Sequence, residues 1–217
     1  MKKVCAILAA ASAAFSAQAA LAAPLSGPYF GVQVGHDAFE VKAKGANIGG
    51  DTVTADGLSG NGGSGAIFAG YDLALGTAGF VGVEAGFDYS GAAVSLAATS
   101  GGSTLSASIK ARETYGIAAR LGLNVASGTG LYAKLGYANT RFKTSAALTG
   151  SGSFFDSRAK GAFIYGGGIE TGLADKLSIR GEFTVSDYGS AGLNDELGTN
   201  GIKVGNSKTT VGIAYRF

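Results

Sequence analysis

Thr209-Thr210-Val211-Gly212-Ile213-Ala214-Tyr215-Arg216-Phe217 decides the fold. Successive side chains of a strand point to opposite sides. Thr209, Val211, Ile213, Tyr215 and Phe217 therefore share one face, and Thr210, Gly212, Ala214 and Arg216 share the other. The first face is bulky and apolar, whereas the second is small and carries one charge. Terminal segments of soluble domains are usually polar and loosely held, and this one is neither. An ordinary half-buried edge strand is the competing reading, and the rest of the chain weighs against it.

Working back from that stretch, the same alternation recurs seven times. Residues 29–41, 66–73, 80–89, 112–123, 131–142, 161–173 and 177–188 read as strands. The cleanest is 80–89, with Val81, Val83, Ala85, Phe87 and Tyr89 against Gly82, Glu84, Gly86 and Asp88. Strict alternation over that length is a strong strand signal. The connections alternate in length. Residues 42–64, 90–107, 143–159 and 189–206 are polar and rich in Gly and Ser and read as long loops, whereas 74–79, 124–130 and 174–176 are short turns. About eight strands of roughly 9–11 residues, joined alternately by long and short links, are the pattern of an all-β, up-and-down antiparallel barrel that crosses a membrane.

The amino-terminal end fits that compartment. Met1-Lys2-Lys3 precedes an Ala-rich apolar stretch from Val4 to Phe15. Ala17-Gln18-Ala19 and Ala20-Leu21-Ala22 both offer a small-x-small cleavage site, so residues 1–22 are expected to be a removed signal peptide, with cleavage after Ala19 or Ala22 left open. The barrel is then 23–217, with no further domain expected. Cys5 leaves with the signal, so no disulfide framework is expected in the mature chain. Removing Lys2 and Lys3 from the 17 Lys and Arg leaves as many cations as there are Asp and Glu, namely 15. A formally neutral chain gives no support to nucleic-acid binding. With 38 Gly, 2 Pro and a mean hydropathy of +0.24, the chain is too apolar to be disordered. No mature segment has the apolar run of a membrane helix, and only a closed barrel would then satisfy every backbone group in lipid.

Alternation does not say which face points inward. A soluble ligand-binding barrel turns its apolar face in; a membrane barrel turns it out. The polar faces here are also the small ones, with Gly82, Gly86, Gly116, Gly122, Gly136, Gly166, Gly168, Gly172 and Gly212. Packing all the large apolar side chains into a narrow barrel would overfill it, so the apolar face is expected outside. The small faces carry Glu84, Arg120, Lys134, Glu170, Arg180, Glu182 and Arg216. Unpaired buried charge is very costly, so these are expected to pair and plug the lumen. A narrow gated ion path rests on the same residues and stands beside that reading.

Catalytic chemistry is not evident. The single His36 has no His-x-Ser arrangement near it, and no Cys/His cluster suits zinc. Neither an enzyme, a metal site nor a cofactor is expected. Gly60-Asn61-Gly62-Gly63-Ser64-Gly65 matches the dinucleotide glycine pattern but opens a strand rather than a helix, so it carries no such meaning.

The closing strand resembles that of bacterial outer-membrane β-barrel proteins, which ends in an aromatic residue with apolar residues at alternate positions before it. That resemblance implies that Val211, Ile213, Tyr215 and Phe217 are the signal read by the barrel-assembly machinery. With the amino terminus periplasmic, Tyr89, Tyr115, Tyr137 and Phe163 fall near the long-loop ends of their strands, and Tyr215 and Phe217 at the opposite rim, as two aromatic girdles would. Gly70-Tyr71-Asp72, Gly82-Val83-Glu84-Ala85-Gly86-Phe87, Gly167-Gly168-Ile169-Glu170, Arg180-Gly181-Glu182-Phe183 and Ser186-Asp187-Tyr188-Gly189 resemble the small porin-like surface-antigen proteins of Alphaproteobacteria. Unlike many in that group, this chain has no Trp. The expected function is that of a monomer in outer-membrane lipid that contributes to membrane integrity and surface interaction through four extracellular loops. A small channel for ions or small solutes is the alternative. Capture of an extracellular ligand has only His36, Phe154 and Phe155 as candidate loop contacts.

Overall fold

The structure, a computed structural model, describes residues 25–48, 51–100, 103–148, 153–190 and 202–217. The expected signal segment, 1–22, lies outside them. Nine strands are present: β1 (Gly27–Ile48), β2 (Asp51–Leu75), β3 (Gly79–Ser90), β4 (Ala93–Ser100), β5 (Ser103–Ala126), β6 (Thr129–Leu148), β7 (Ser153–Ala174), β8 (Leu177–Ser190) and β9 (Ile202–Arg216). All pairings are antiparallel, and the sheet runs β3-β2-β1-β9-β8-β7-β6-β5-β4 with an additional β3–β5 pairing. That pairing brings the sheet back on itself as a closed ring. A ring leaves no exposed sheet edge, which is how a strand-built protein satisfies its backbone in lipid.

Two of the nine strands share one partner in succession. β3 pairs with β5 from Gly79↔Leu123 to Tyr89↔Glu113, and β4 takes over from Ala93↔Lys110. Between them the Gly91 N–H donates to the Gly63 carbonyl at 2.9 Å, and the Ala111 N–H to the Ala92 carbonyl at 3.1 Å. The sequence reading placed 90–107 in a loop and missed β4. It also placed 42–64, 143–159 and 189–206 in loops, whereas the ladder continues through residues 42–48, 51–64, 143–148, 153–159 and 202–206. The reason lies in the backbone. A ladder needs only extended residues with free N–H and C=O groups, so it runs on where side-chain alternation fades.

The opposite rim is tight, as short turns dictate. Residues 76–78, 127–128 and 175–176 make the reversals. Gly76 and Gly128 sit there at φ 63° and 64°, the left-handed region in which a side chain is strained.

The apolar face points outward. Val34, Ile67, Val83, Ile117, Leu121, Leu135, Phe163 and Val211 are all exposed, a burial pattern that a protein in water would not tolerate over so continuous a wall. Tyr115, Tyr137 and Phe163 stand near one end of that wall, with Tyr137 and Phe163 edge to face at 5.6 Å. Phe30, Tyr215 and Phe217 cluster at the other, with ring centroids 5.3 to 6.0 Å apart.

The interior is not filled by small residues alone. Phe80, Tyr29, Phe68, Tyr132 and Tyr188 are buried within it. Phe80, Phe68, Tyr29 and Tyr132 each lie where a neighbouring strand offers glycine. A Cβ built on Gly122 would run into the Phe80 ring, and one on Gly31 into the Phe68 ring. The glycine faces thus make room for a few large inward groups, which is the small-against-large fitting of narrow barrels.

Candidate functional site

The lumen charges arise from strand register. β5 and β6 set Arg120 beside Lys134, β7 and β8 set Glu170 beside Arg180, and β1 and β9 set Tyr29 beside Arg216. Because every one of these positions alternates inward, the long side chains meet across the barrel axis.

Glu84 is the hub on one side. It accepts from Arg180 Nη1 at 2.5 Å, from Lys134 Nζ at 2.7 Å and from Tyr29 Oη at 2.9 Å, and it lies 3.6 Å from Arg120. Arg120 is the hub on the other. It donates to Glu170 at 2.8 Å, to Tyr29 Oη at 2.6 Å and to Asp72 at 3.4 Å. Arg216 closes the circuit through Asp72 at 2.9 Å and Glu170 at 2.8 Å. Glu182 pairs with Lys134 at 3.1 Å and accepts from Tyr132 Oη at 2.9 Å. Aromatic faces support the cations: Arg120 lies 4.1 Å from the Tyr132 centroid, and Arg180 lies 3.4 Å from that of Phe68.

All seven charged residues singled out on the small faces, namely Glu84, Arg120, Lys134, Glu170, Arg180, Glu182 and Arg216, are in this cluster. The sequence reading left out Asp72, and with it the balance. Seven residues leave one positive charge in excess, and Asp72 makes four carboxylates against four cations. Its place on the polar side of its strand, beside Gly70, was the available signal. Tyr29 and Tyr132 were missed too, although each falls among the small residues of its strand. Gln33, which accepts from Arg180 at 2.6 Å, and Ser178, which donates to Glu170 at 2.7 Å, complete the shell.

A second polar group lies nearer the long-hairpin end. Lys208 reaches Asp88 at 2.6 Å and Asp37 at 3.4 Å, and Asn206 donates to Asp37 at 3.4 Å. Thr140 links Thr114 at 2.8 Å to Tyr188 at 2.9 Å. Between the two groups is a cavity of ≈ 100 Å³ whose walls include Gln33, Glu84, Lys134, Asp88 and Lys208. Polar walls and that volume are enough for a few water molecules.

The remaining candidates do not form one site. His36 is exposed on β1, paired with Gly63 and Thr209. Phe155 is exposed on β7, paired with Ser145, and Phe154 neighbours Ala146 along the same ladder. β1 and β7 are not adjacent in the sheet. The glycines of residues 60–65 lie in β2, and a Cβ on Gly60 or Gly62 would meet the backbone of residues 91–93. Their smallness thus lets β2 and the start of β4 approach closely. Val211, Ile213, Tyr215 and Phe217 line the outer face of the last strand. Among the described residues no group of three or more His, Cys, Asp or Glu could hold a metal ion.

No curated protein matches the sequence. Among solved structures, Ail, the attachment invasion locus protein of Yersinia pestis, is 17% identical, with 88% of this chain and 100% of that chain covered and a TM-score of 0.45. The outer membrane protease OmpT of Escherichia coli is 9% identical, with 92% and 100% covered and a TM-score of 0.48. Neisserial surface protein A is 17% identical, with 87% and 97% covered and a TM-score of 0.43. The family described as outer membrane protein beta-barrel domain matches residues 7–217, which include every described residue. This chain belongs to the outer membrane protein β-barrel domain family, and its strands lie in the outer membrane.

Proposed function

We propose that this is a monomeric, non-catalytic barrel of eight staves, β3 and β4 forming one of them, whose lumen is closed by its own charges. Its work is to support the membrane and to present the extended hairpins at the cell surface. The observation that carries this reading is the balanced network of Asp72, Glu84, Glu170 and Glu182 with Arg120, Lys134, Arg180 and Arg216, which links β2, β3, β5, β6, β7, β8 and β9 across the lumen. Fixed pairs of this kind leave no hydrated path through that layer. The likeness of the strand motifs to alphaproteobacterial surface antigens belongs to the same reading. So does delivery by the barrel-assembly machinery, with Val211, Ile213, Tyr215 and Phe217 as the recognised face.

The test is conductance of the refolded barrel in a planar bilayer. The expected outcome is silence from the wild type, with discrete openings appearing in Glu84→Gln or Arg120→Ala. Steady openings of the wild type, altered by those changes, would instead make the lumen a conduction path. That second reading, a small porin-like channel for ions or small solutes, draws support from the cavity above the network. Ligand capture by the hairpins is a third reading. His36, Phe154 and Phe155 are its candidate contacts, and they belong to hairpins that are not neighbours in the sheet.

A further inference from the structure

Outside the lumen, the wall changes character where β5 slips its register against β6. Cα partners run Lys110↔Lys143 and Ala111↔Phe142, then step to Thr114↔Thr140. Arg112 and Glu113 therefore stand together opposite Arg141, a β-bulge that crowds extra side chains onto the outer face. Lys110, Arg141 and Lys143 are exposed. Arg112 is held on the same face, because its Nη1 donates at 2.7 Å to the hydroxyl of the outward Tyr89. Four cations thus share one patch with the single carboxylate of Glu113.

This arrangement is unfavourable as it stands. Like charges directly opposite one another destabilise a strand pair, and Lys110 and Lys143 are so placed. Among the described residues, no ion pair joins Lys110, Arg141 or Lys143 to Glu113 or to another carboxylate. An anion from outside the chain would relieve the repulsion.

Position selects which anion. Arg141 stands four residues beyond Tyr137 on the same outward face, roughly 10 Å higher for a tilted strand. Tyr115, Tyr137 and Phe163 below it form the aromatic belt, which marks the level where headgroups begin. Long Lys and Arg side chains can bend back from there toward the interface. The patch stands on the outer wall of β5 and β6, so it faces the plane of the membrane.

We propose that the Lys110, Arg112, Arg141 and Lys143 patch binds the phosphate groups of a lipid headgroup in the surrounding outer leaflet. The bulge is what gathers the cations, and the belt beneath holds the acyl region of the same lipid against the wall. This site is independent of whether the lumen conducts.

The test uses the refolded full chain in neutral detergent and native mass spectrometry, with bisphosphorylated lipid A and its dephosphorylated form in equal amounts. The wild type should retain the phosphorylated form preferentially. The Lys110→Gln, Lys143→Gln double variant should lose that preference by roughly ten- to thirtyfold, the effect of two charges at an anionic surface. Lys176→Gln, at the opposite rim, should leave it unchanged. Heat-dependent gel mobility confirms that each variant is folded. Equal retention of the two lipids by the wild type would overturn the proposal whatever the variants do, as would a folded double variant with undiminished preference. Displacement of the lipid by an equimolar amount of inorganic phosphate would show a free-anion site and overturn the lipid assignment.

Discussion

Toward the short-turn rim, Arg120, Lys134, Arg180 and Arg216 face Asp72, Glu84, Glu170 and Glu182; toward the long hairpins, Lys208 is the one cation among the described residues that faces Asp37 and Asp88. In the first layer every carboxylate touches a cation, and the atoms left without hydrogen bonds are mainly guanidinium nitrogens. In the second, Asp37 Oδ2 and Asp88 Oδ2 are buried without a partner, and one negative charge is in excess. One layer is closed by the protein itself. The other has fewer cations than carboxylates among the described residues, so the two differ in how far the protein pairs its own charges although they lie in the same tube.

The largest effect should come from breaking the closed layer. Arg120→Met removes one of the two cations paired with Glu170 and Asp72 and leaves the layer one buried positive charge short, which should cost about 3–5 kcal/mol. Denaturant unfolding of the refolded barrel in lipid vesicles measures it. A loss no greater than that of an exposed arginine such as Arg158 would erase the distinction between the layers.

A smaller effect of opposite sign is expected from the open layer. Asp37→Asn removes the surplus charge while keeping the shape, and it should leave stability unchanged or raise it by up to about 1 kcal/mol. The same unfolding experiment decides. Marked destabilisation would mean that both carboxylates are already neutralised by a bound cation.

The smallest effect concerns a pair outside the lumen altogether. Arg158 donates to Asp156 at 2.7 Å in the upper part of β7, and the Ser157 N–H adds a second bond at 2.8 Å. These hold the Asp156 carboxyl below its ordinary pKa, the Arg158 hydrogen bond being the larger cause. Because the folded value is depressed, whatever stability the pair adds is present above the ordinary carboxylate range and lost as pH falls through the folded value. The group is exposed and screened, so the contribution is slight. An NMR titration should show a midpoint below that of a free aspartate, rising in Arg158→Gln; an unchanged midpoint in the variant would remove the pair as a reference for the buried ones.

Legibility from sequence followed the same division between face and height. Residues 81–89 were readable in full because each inward residue is small or acidic and all but one of the outward residues are large. That pattern assigns a face, and the faces of Glu84, Arg120 and Glu170 follow from it. It does not assign height along the axis, and height determines which charges meet. Asp72 was therefore visible as polar yet not as the fourth carboxylate. Phe68 fell on the inward side of its strand, but only the glycines across from it explain why a ring fits there. β4 and the extended hairpins were illegible for a different reason. Their backbones pair through residues such as 93–100, where only Val94 and Leu96 stand out among Ala, Ser and Thr and the contrast between faces is slight.

The seam between β1 and β9 joins Tyr29 to Arg216 and Phe30 to Tyr215, residues from opposite ends of the described chain. Contacts so distant in sequence form late, because the loop that must be closed contains nearly everything else. Until that moment the sheet has two open edges, and Asp72, which lies across the seam on β2, lacks Arg216, one of its cations. Closure of the ring and completion of the charge balance at Asp72 are thus a single event. A nascent or cut chain would be both sticky at its margins and electrically incomplete at its centre.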